Sequence, residues 1–138
     1  LKDLPVPISA DVFGLVTWAE DDLGIGQVLE KTAPHFDYIA PMVYPSHYDA
    51  GFQDFKNPAA HPYEVIFASM QRAKFRLEKM GEDPKKLRPW IQDFDLGVDY
   101  GVAEIQAQKK AIYDSGLNSW MSWDPSNKYT RPAYRPAQ

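Results

Sequence analysis

Four short runs of apolar, β-branched and aromatic residues recur along the chain, at residues 6–12, 38–44, 87–94 and 119–123, with longer segments between them. Each run leads into a polar loop that contains Pro or Gly. This alternation narrows the fold more than any other feature. Strands that read as nearly continuous apolar runs, separated by segments of helical periodicity, are what successive βα units produce. The helix in each unit carries the chain back to the same end of the sheet, so the strands are parallel. The expected fold class is therefore α/β, with parallel strands alternating with helices.

The segments between the runs carry that periodicity unequally. Ile25, Val28, Leu29, Thr32 and Phe36 fall on one face and predict a first helix ending near Pro34. From Pro62, a favourable first-turn residue, Ile66, Met70, Ala73, Leu77 and Met80 form a clear stripe that Gly81 closes. Residues 99–115, with Val102, Ile105, Ala111 and Ile112, predict a third helix stopped by Gly116. Residues 124–138 hold Pro125, Pro132 and Pro136 and are expected to be irregular. A long loop is expected at residues 45–61, and it contains His47, Tyr48, Asp49, Phe52 and Phe55. No internal repeat or low-complexity tract interrupts the pattern.

Composition removes whole classes of function. With 138 residues, 44% hydrophobic and 25% charged, the chain has the balance of one globular domain. A formal net charge of -4, with Lys85-Lys86 and Lys109-Lys110 isolated from each other, opposes an electrostatic nucleic-acid binder. The lack of cysteine excludes disulfides, thiolate metal sites and a thiol nucleophile, and leaves the compartment open. No apolar stretch is long enough to span a bilayer, and residues 1–10 lack the basic and apolar regions of a signal peptide. Because the first residue is Leu1, the chain reads as a processed or excised piece of something longer, whose parent is open to an extracytoplasmic location.

In parallel α/β sheets ligands bind at the carboxyl ends of the strands, so chemistry is sought there. Gly24-Ile25-Gly26 begins like a dinucleotide loop, but Leu29 stands where the third glycine belongs. Neither a phosphate-binding loop nor a nucleophile elbow is present. His35, His47 and His61 are not at metal-ligand spacing, so no metal and no cofactor is implied. What remains is carboxylates beside aromatics. Asp11 and Asp93 each interrupt an apolar strand run, where an ionised group is costly unless it is paired or functional. Two acids at strand ends suit glycosidic bond cleavage, one protonating the leaving oxygen and the other attacking or stabilising the oxocarbenium-like centre. Trp90, Trp123, Tyr44 and Tyr48 offer flat faces for sugar rings. The structural alternative stays open: Asp11 pairs with a buried Arg or caps a backbone group, and the aromatics fill the core.

Several blocks then follow in order: Ser9-Ala10-Asp11-Val12-Phe13-Gly14, Gly26-Gln27, Pro41-Met42-Val43-Tyr44-Pro45-Ser46-His47-Tyr48, Arg88-Pro89-Trp90-Ile91-Gln92-Asp93-Phe94 and Trp120-Met121-Ser122-Trp123-Asp124-Pro125-Ser126-Asn127. Together they resemble the bacterial putative glycoside hydrolase domain once catalogued as a domain of unknown function, a TIM-barrel family. The resemblance runs through nearly the whole chain but corresponds to the back half of that domain. It implies that the four strands are strands 5 to 8 of a (β/α)8 barrel, which in full takes about 250 residues. It further implies that Asp11 is the general acid/base and Asp93 the transition-state stabiliser, with Tyr44, His47, Tyr48, Trp90, Gln92 and Trp123 lining sugar subsites. The strand thought to carry a further catalytic carboxylate precedes the blocks present here.

A chain of this kind is expected to take a carbohydrate substrate. It is also expected to need a partner, either the N-terminal half-barrel or a second copy meeting it through exposed strand edges. Alone it is expected to be inactive. A non-catalytic carbohydrate-binding or cell-envelope module, with structural acids, is the alternative from a different functional class.

Overall fold

The computed structural model describes residues 5–134. A four-stranded sheet orders β1 (Ser9–Phe13), β2 (Tyr38–Met42), β3 (Trp90–Gln92) and β4 (Met121–Trp123) side by side, every pairing parallel. The connections carry α1 (Leu29–Thr32), α2 (Pro62–Lys79) and α3 (Val102–Asp114). The architecture is thus α/β, with parallel strands alternating with helices. Residues 135–138, the end of the expected irregular tail, lie outside the described residues.

The strands are shorter than the apolar runs that announce them, because the outer residues of each run leave the ladder. Side chains alternate across the pleat, and parallel partners share a face. Ala10 and Val12 of β1 therefore share a face with Ile39 and Pro41 of β2 and with Ile91 of β3. Helices cover this side. Ile66, Met70, Ala73 and Leu77 of α2 and Ile105, Ala111 and Ile112 of α3 are buried, and they form one cluster with Val12, Ile39 and Ile91. The opposite face carries Ser9, Asp11, Phe13, Ala40, Met42, Trp90 and Trp123. Phe13 is 53% exposed there and Trp123 43%.

α2 follows its sequence signals closely. Pro62 occupies the first turn, and Gly81 at φ 80° ends the helix while Gly81 and Glu82 N–H groups donate back to Glu78 and Leu77 carbonyls. α1 does not. The helix expected to begin at Ile25 is a single turn, Leu29–Thr32, continued as a 3-10 turn at Ala33–His35. Gly24 and Gly26 adopt φ of 67° and 74°, which breaks the helix on its amino side, and Pro34 removes a donor on the other. Ile25 is consequently exposed.

The long loop after β2 is ordered by three 3-10 turns, Pro45–His47, Phe52–Asp54 and Pro58–Ala60. It is fastened from below. Tyr48 is buried with its hydroxyl against Ser69 Oγ at 3.0 Å, and Trp18 Nε1 donates to the same oxygen at 3.2 Å. Buried Tyr100 donates its hydroxyl to the Ala59 carbonyl at 2.8 Å. On the helix side, Arg76 is buried, forks onto both carboxylate oxygens of Glu30 at 2.6 Å and donates to the Val16 carbonyl at 2.7 Å.

Candidate active site

The end of β1 is built around one close approach. A Cβ on Gly14 would lie 2.4 Å from the Met42 carbonyl oxygen, so only glycine lets β1 and β2 run together at this height. Gln27 Oε1 accepts the Phe13 N–H at 2.8 Å and holds the last residue of β1 in place. The Gly-Gln pair of the sequence is thereby tied to the strand that carries Asp11.

Asp11 is exposed, on the open face of an edge strand. The sequence argument that an ionised Asp11 would be costly to bury is corrected by this placement: water reaches the carboxylate. The same alternation that buries Val12 turns Asp11 outward. Among the described residues it forms no ion pair, and its recorded partner is Trp90, whose Nε1 donates to Oδ1 at 3.0 Å. Trp90 sits two strands away, and small Ala40, the register partner of Asp11, lies between them. Trp90 in turn meets Trp123 edge to face, with centroids 6.0 Å apart.

Asp93 lies in a different environment. It is 3% exposed, and Oδ2 accepts from Thr130 N at 2.9 Å and from the Tyr134 hydroxyl at 2.6 Å. The Tyr134 oxygen is also 2.5 Å from Ser122 Oγ, and Ser122 is the register partner of Ile91 on the helix side. Asp93 thus turns to the side of the sheet away from Asp11. Burial and the Asp93 carboxylate together push the Tyr134 phenol well above its usual range.

Gln92 is fully buried, and its amide is committed. Oε1 accepts from Ser46 N at 3.2 Å and Ser46 Oγ at 2.9 Å, and Nε2 donates to the Phe94 carbonyl at 2.9 Å. It locks the loop after β2 onto β3 and presents nothing to a ligand. Tyr48, buried under the same loop, has a phenol pushed up to about 12 by desolvation. Both side chains are buried beneath the loop after β2, where they bond to Ser46 and Ser69.

Tyr44 and His47 do reach the site. Tyr44 meets His47 and Phe94 edge to face, at 5.2 and 5.4 Å. With Phe13, Gly14, Leu15, Met42 and Tyr48 they line a cavity of about 180 Å³ at the carboxyl ends of β1 and β2. The Tyr44 phenol is raised, first by burial and then by the negative charge of Asp11, which ties the cavity electrically to the acid. Burial lowers His47 from 6.5, so its imidazole is neutral at pH 7. A second cavity of about 400 Å³ lies beside Asp93, Asp95, Tyr100 and Asp124. Asp95 Oδ1 accepts from Tyr100 N at 2.7 Å, and Asp124 takes the Ser126 and Lys128 N–H groups at 2.7 and 2.9 Å. No group of three metal-ligating side chains occurs among the described residues, and no described helix is long and apolar enough to cross a membrane.

An exposed acid in the middle of β1, aromatic rings and an apolar cavity thus gather around the first two strands. The family model described as the putative glycosyl hydrolase domain matches residues 1–129. The chain belongs to this family. No curated protein matches it. Within this putative glycosyl hydrolase domain, several of the sequence blocks meet near the strand ends. Gly14 closes β1 on β2, Ser46 meets Gln92, and Asp124 caps its own loop. Phe13, Leu15, Met42 and Phe94 are site residues that a search for polar chemistry passes over. The signal for Phe13 is its two-residue offset from Asp11, which puts both on one face of the strand.

Proposed function

We propose that the chain is the second half of a (β/α)8 barrel that hydrolyses glycosidic bonds, with Asp11 as the general acid/base. The observation that carries this reading is the Asp11 carboxylate, exposed on the open face of edge strand β1, bonded by Trp90 and two residues before Phe13, which lines the cavity with Tyr44. Asp11 protonates the leaving oxygen, and the second carboxylate comes from the other half of the barrel. Trp123 and Trp90 supply the surface along which a sugar chain lies. Asp93 acts from behind, as a positioning residue that fastens the segment after β4.

Exposed Phe13 and Trp123 on a sheet with helices on one side only support a partner for the open face, either the remaining half-barrel or a second copy. The reading is tested by substituting Asp11→Asn in the complete domain. Loss of polysaccharide hydrolysis with glycan binding retained supports it. Unchanged hydrolysis overturns it. The same exposed aromatics favour one alternative, a non-catalytic carbohydrate-binding module, for which no hydrolysis is found before or after the substitution.

A further inference from the structure

The cavity between the ends of β1 and β2 has a chemical character narrower than that of a general sugar site. Phe13, Leu15 and Met42 give it apolar walls, and the Gly14 approach fixes how closely the two strands pinch it. A hydroxyl seated against those walls gives up water and finds few partners. A methyl group suffers no such loss. The polar groups stand beside these walls. The Tyr44 hydroxyl and the His47 imidazole make no side-chain hydrogen bond among the described residues, and Asp11 Oδ2 is likewise unspent because Trp90 occupies Oδ1. Asp11 precedes Phe13 by two residues on the same face of β1, so carboxylate and cavity are neighbours.

We propose that this cavity seats the acetyl methyl of a 2-acetamido sugar, so that the glycan taken by the site is built from N-acetylhexosamine. The inference rests on the glycan-hydrolysing reading above and names its substrate class. An acetamido group has three parts, and each has a counterpart here. The methyl fills the apolar walls, the carbonyl oxygen accepts from the Tyr44 hydroxyl, and the amide N–H donates to the His47 imidazole, which leaves Asp11 Oδ2 for proton transfer. The negative charge of Asp11 helps to keep the Tyr44 phenol protonated, and therefore a donor. A deoxy-sugar methyl would fill the walls but leave Tyr44 and His47 without partners. An unsubstituted hexose would do the reverse.

Two neutral trisaccharides separate these cases: chitotriose, with acetamido groups, and cellotriose, with hydroxyls at the same positions. Calorimetric titration of the complete domain is expected to give at least about tenfold tighter binding of chitotriose, the discrimination typical of a filled apolar pocket. Saturation-transfer NMR is expected to show the acetyl methyl protons as the strongest contact. Tyr44→Phe is expected to lower chitotriose affinity toward that of cellotriose. Equal affinity for the two sugars, or transfer confined to ring protons, overturns this inference and leaves the hydrolase reading standing. Absence of binding by either sugar overturns this inference as well, while the hydrolase reading is decided by the Asp11→Asn test.

Discussion

Trp90 Nε1 donates to Asp11 Oδ1 at 3.0 Å although the two residues belong to strands that do not touch. β2 lies between them, with small Ala40 opposite Asp11 and Met42 opposite Trp90. An exposed carboxylate on an edge strand would otherwise sample several rotamers, so the indole selects one. A hydrogen bond to a charged group is worth about 1.5–3 kcal/mol, which corresponds to roughly ten- to hundredfold in rate. Trp90→Phe keeps the ring against Trp123 and removes the donor. It is expected to lower kcat/KM for glycan hydrolysis by about that factor, with the urea midpoint little changed. Unchanged kinetics would show that Trp90 has no part in orienting the acid.

The two aspartates are expected to separate in a stability measurement. Asp93 is buried and holds Thr130 and Tyr134, whereas Asp11 faces water. Asp93→Ala leaves two donors without their acceptor and is expected to cost about 1–3 kcal/mol in urea unfolding. Asp11→Ala is expected to stay within about 0.5 kcal/mol. Equal losses at the two positions would contradict the different environments described for them.

Much of this architecture can be read in the sequence, for a reason that also explains what cannot. The four apolar runs become the four strands because a sheet covered by helices demands apolar residues at the covered positions, and the α2 stripe is buried for the same reason. The pattern is weakest where few residues are covered. The face expected over residues 25–36 yields a single turn, since Gly24, Gly26 and Pro34 outweigh the spacing of four apolar residues and Thr32. At the site, residue type misleads where burial decides. Gln92 has the chemistry of a sugar ligand, but its amide is used up by Ser46 and Phe94. Asp11 looks buried among apolar neighbours until the period of two is applied, which puts Ala10 and Val12 on one side and Ser9, Asp11 and Phe13 on the other.

Gly14→Ala tests the pinch between β1 and β2. The added Cβ would meet backbone, the Met42 carbonyl, which cannot rotate away as a side chain would. The substitution is expected to destabilise the chain by about 1–3 kcal/mol, the usual range for overpacking. Because the same contact shapes the cavity beside Phe13, glycan affinity is expected to fall too. A wild-type melting curve for this variant would mean that the strand ends can spread freely.

The Arg76–Glu30 pair sets a pH dependence whose sign follows from the carboxylate. The Arg76 hydrogen bond holds Glu30 below its ordinary 4.5. The pair therefore contributes fully above that ordinary value, and the contribution fades as pH falls below it through the folded-state value. Glu30 is 40% exposed, so water screens the interaction and its share is less than about 1 kcal/mol. Glu30→Gln is expected to lower stability at pH 7 by less than about 1 kcal/mol and to flatten part of the acid limb of a stability–pH curve, its difference from wild type shrinking as pH falls. Arg76→Met is expected to cost more, about 1–3 kcal/mol at neutral pH, because it also strips the Val16 carbonyl of its buried donor. Unfolding curves for both variants at pH 7 and pH 4 decide the matter. An acid limb identical in wild type and Glu30→Gln would remove Glu30 from the account.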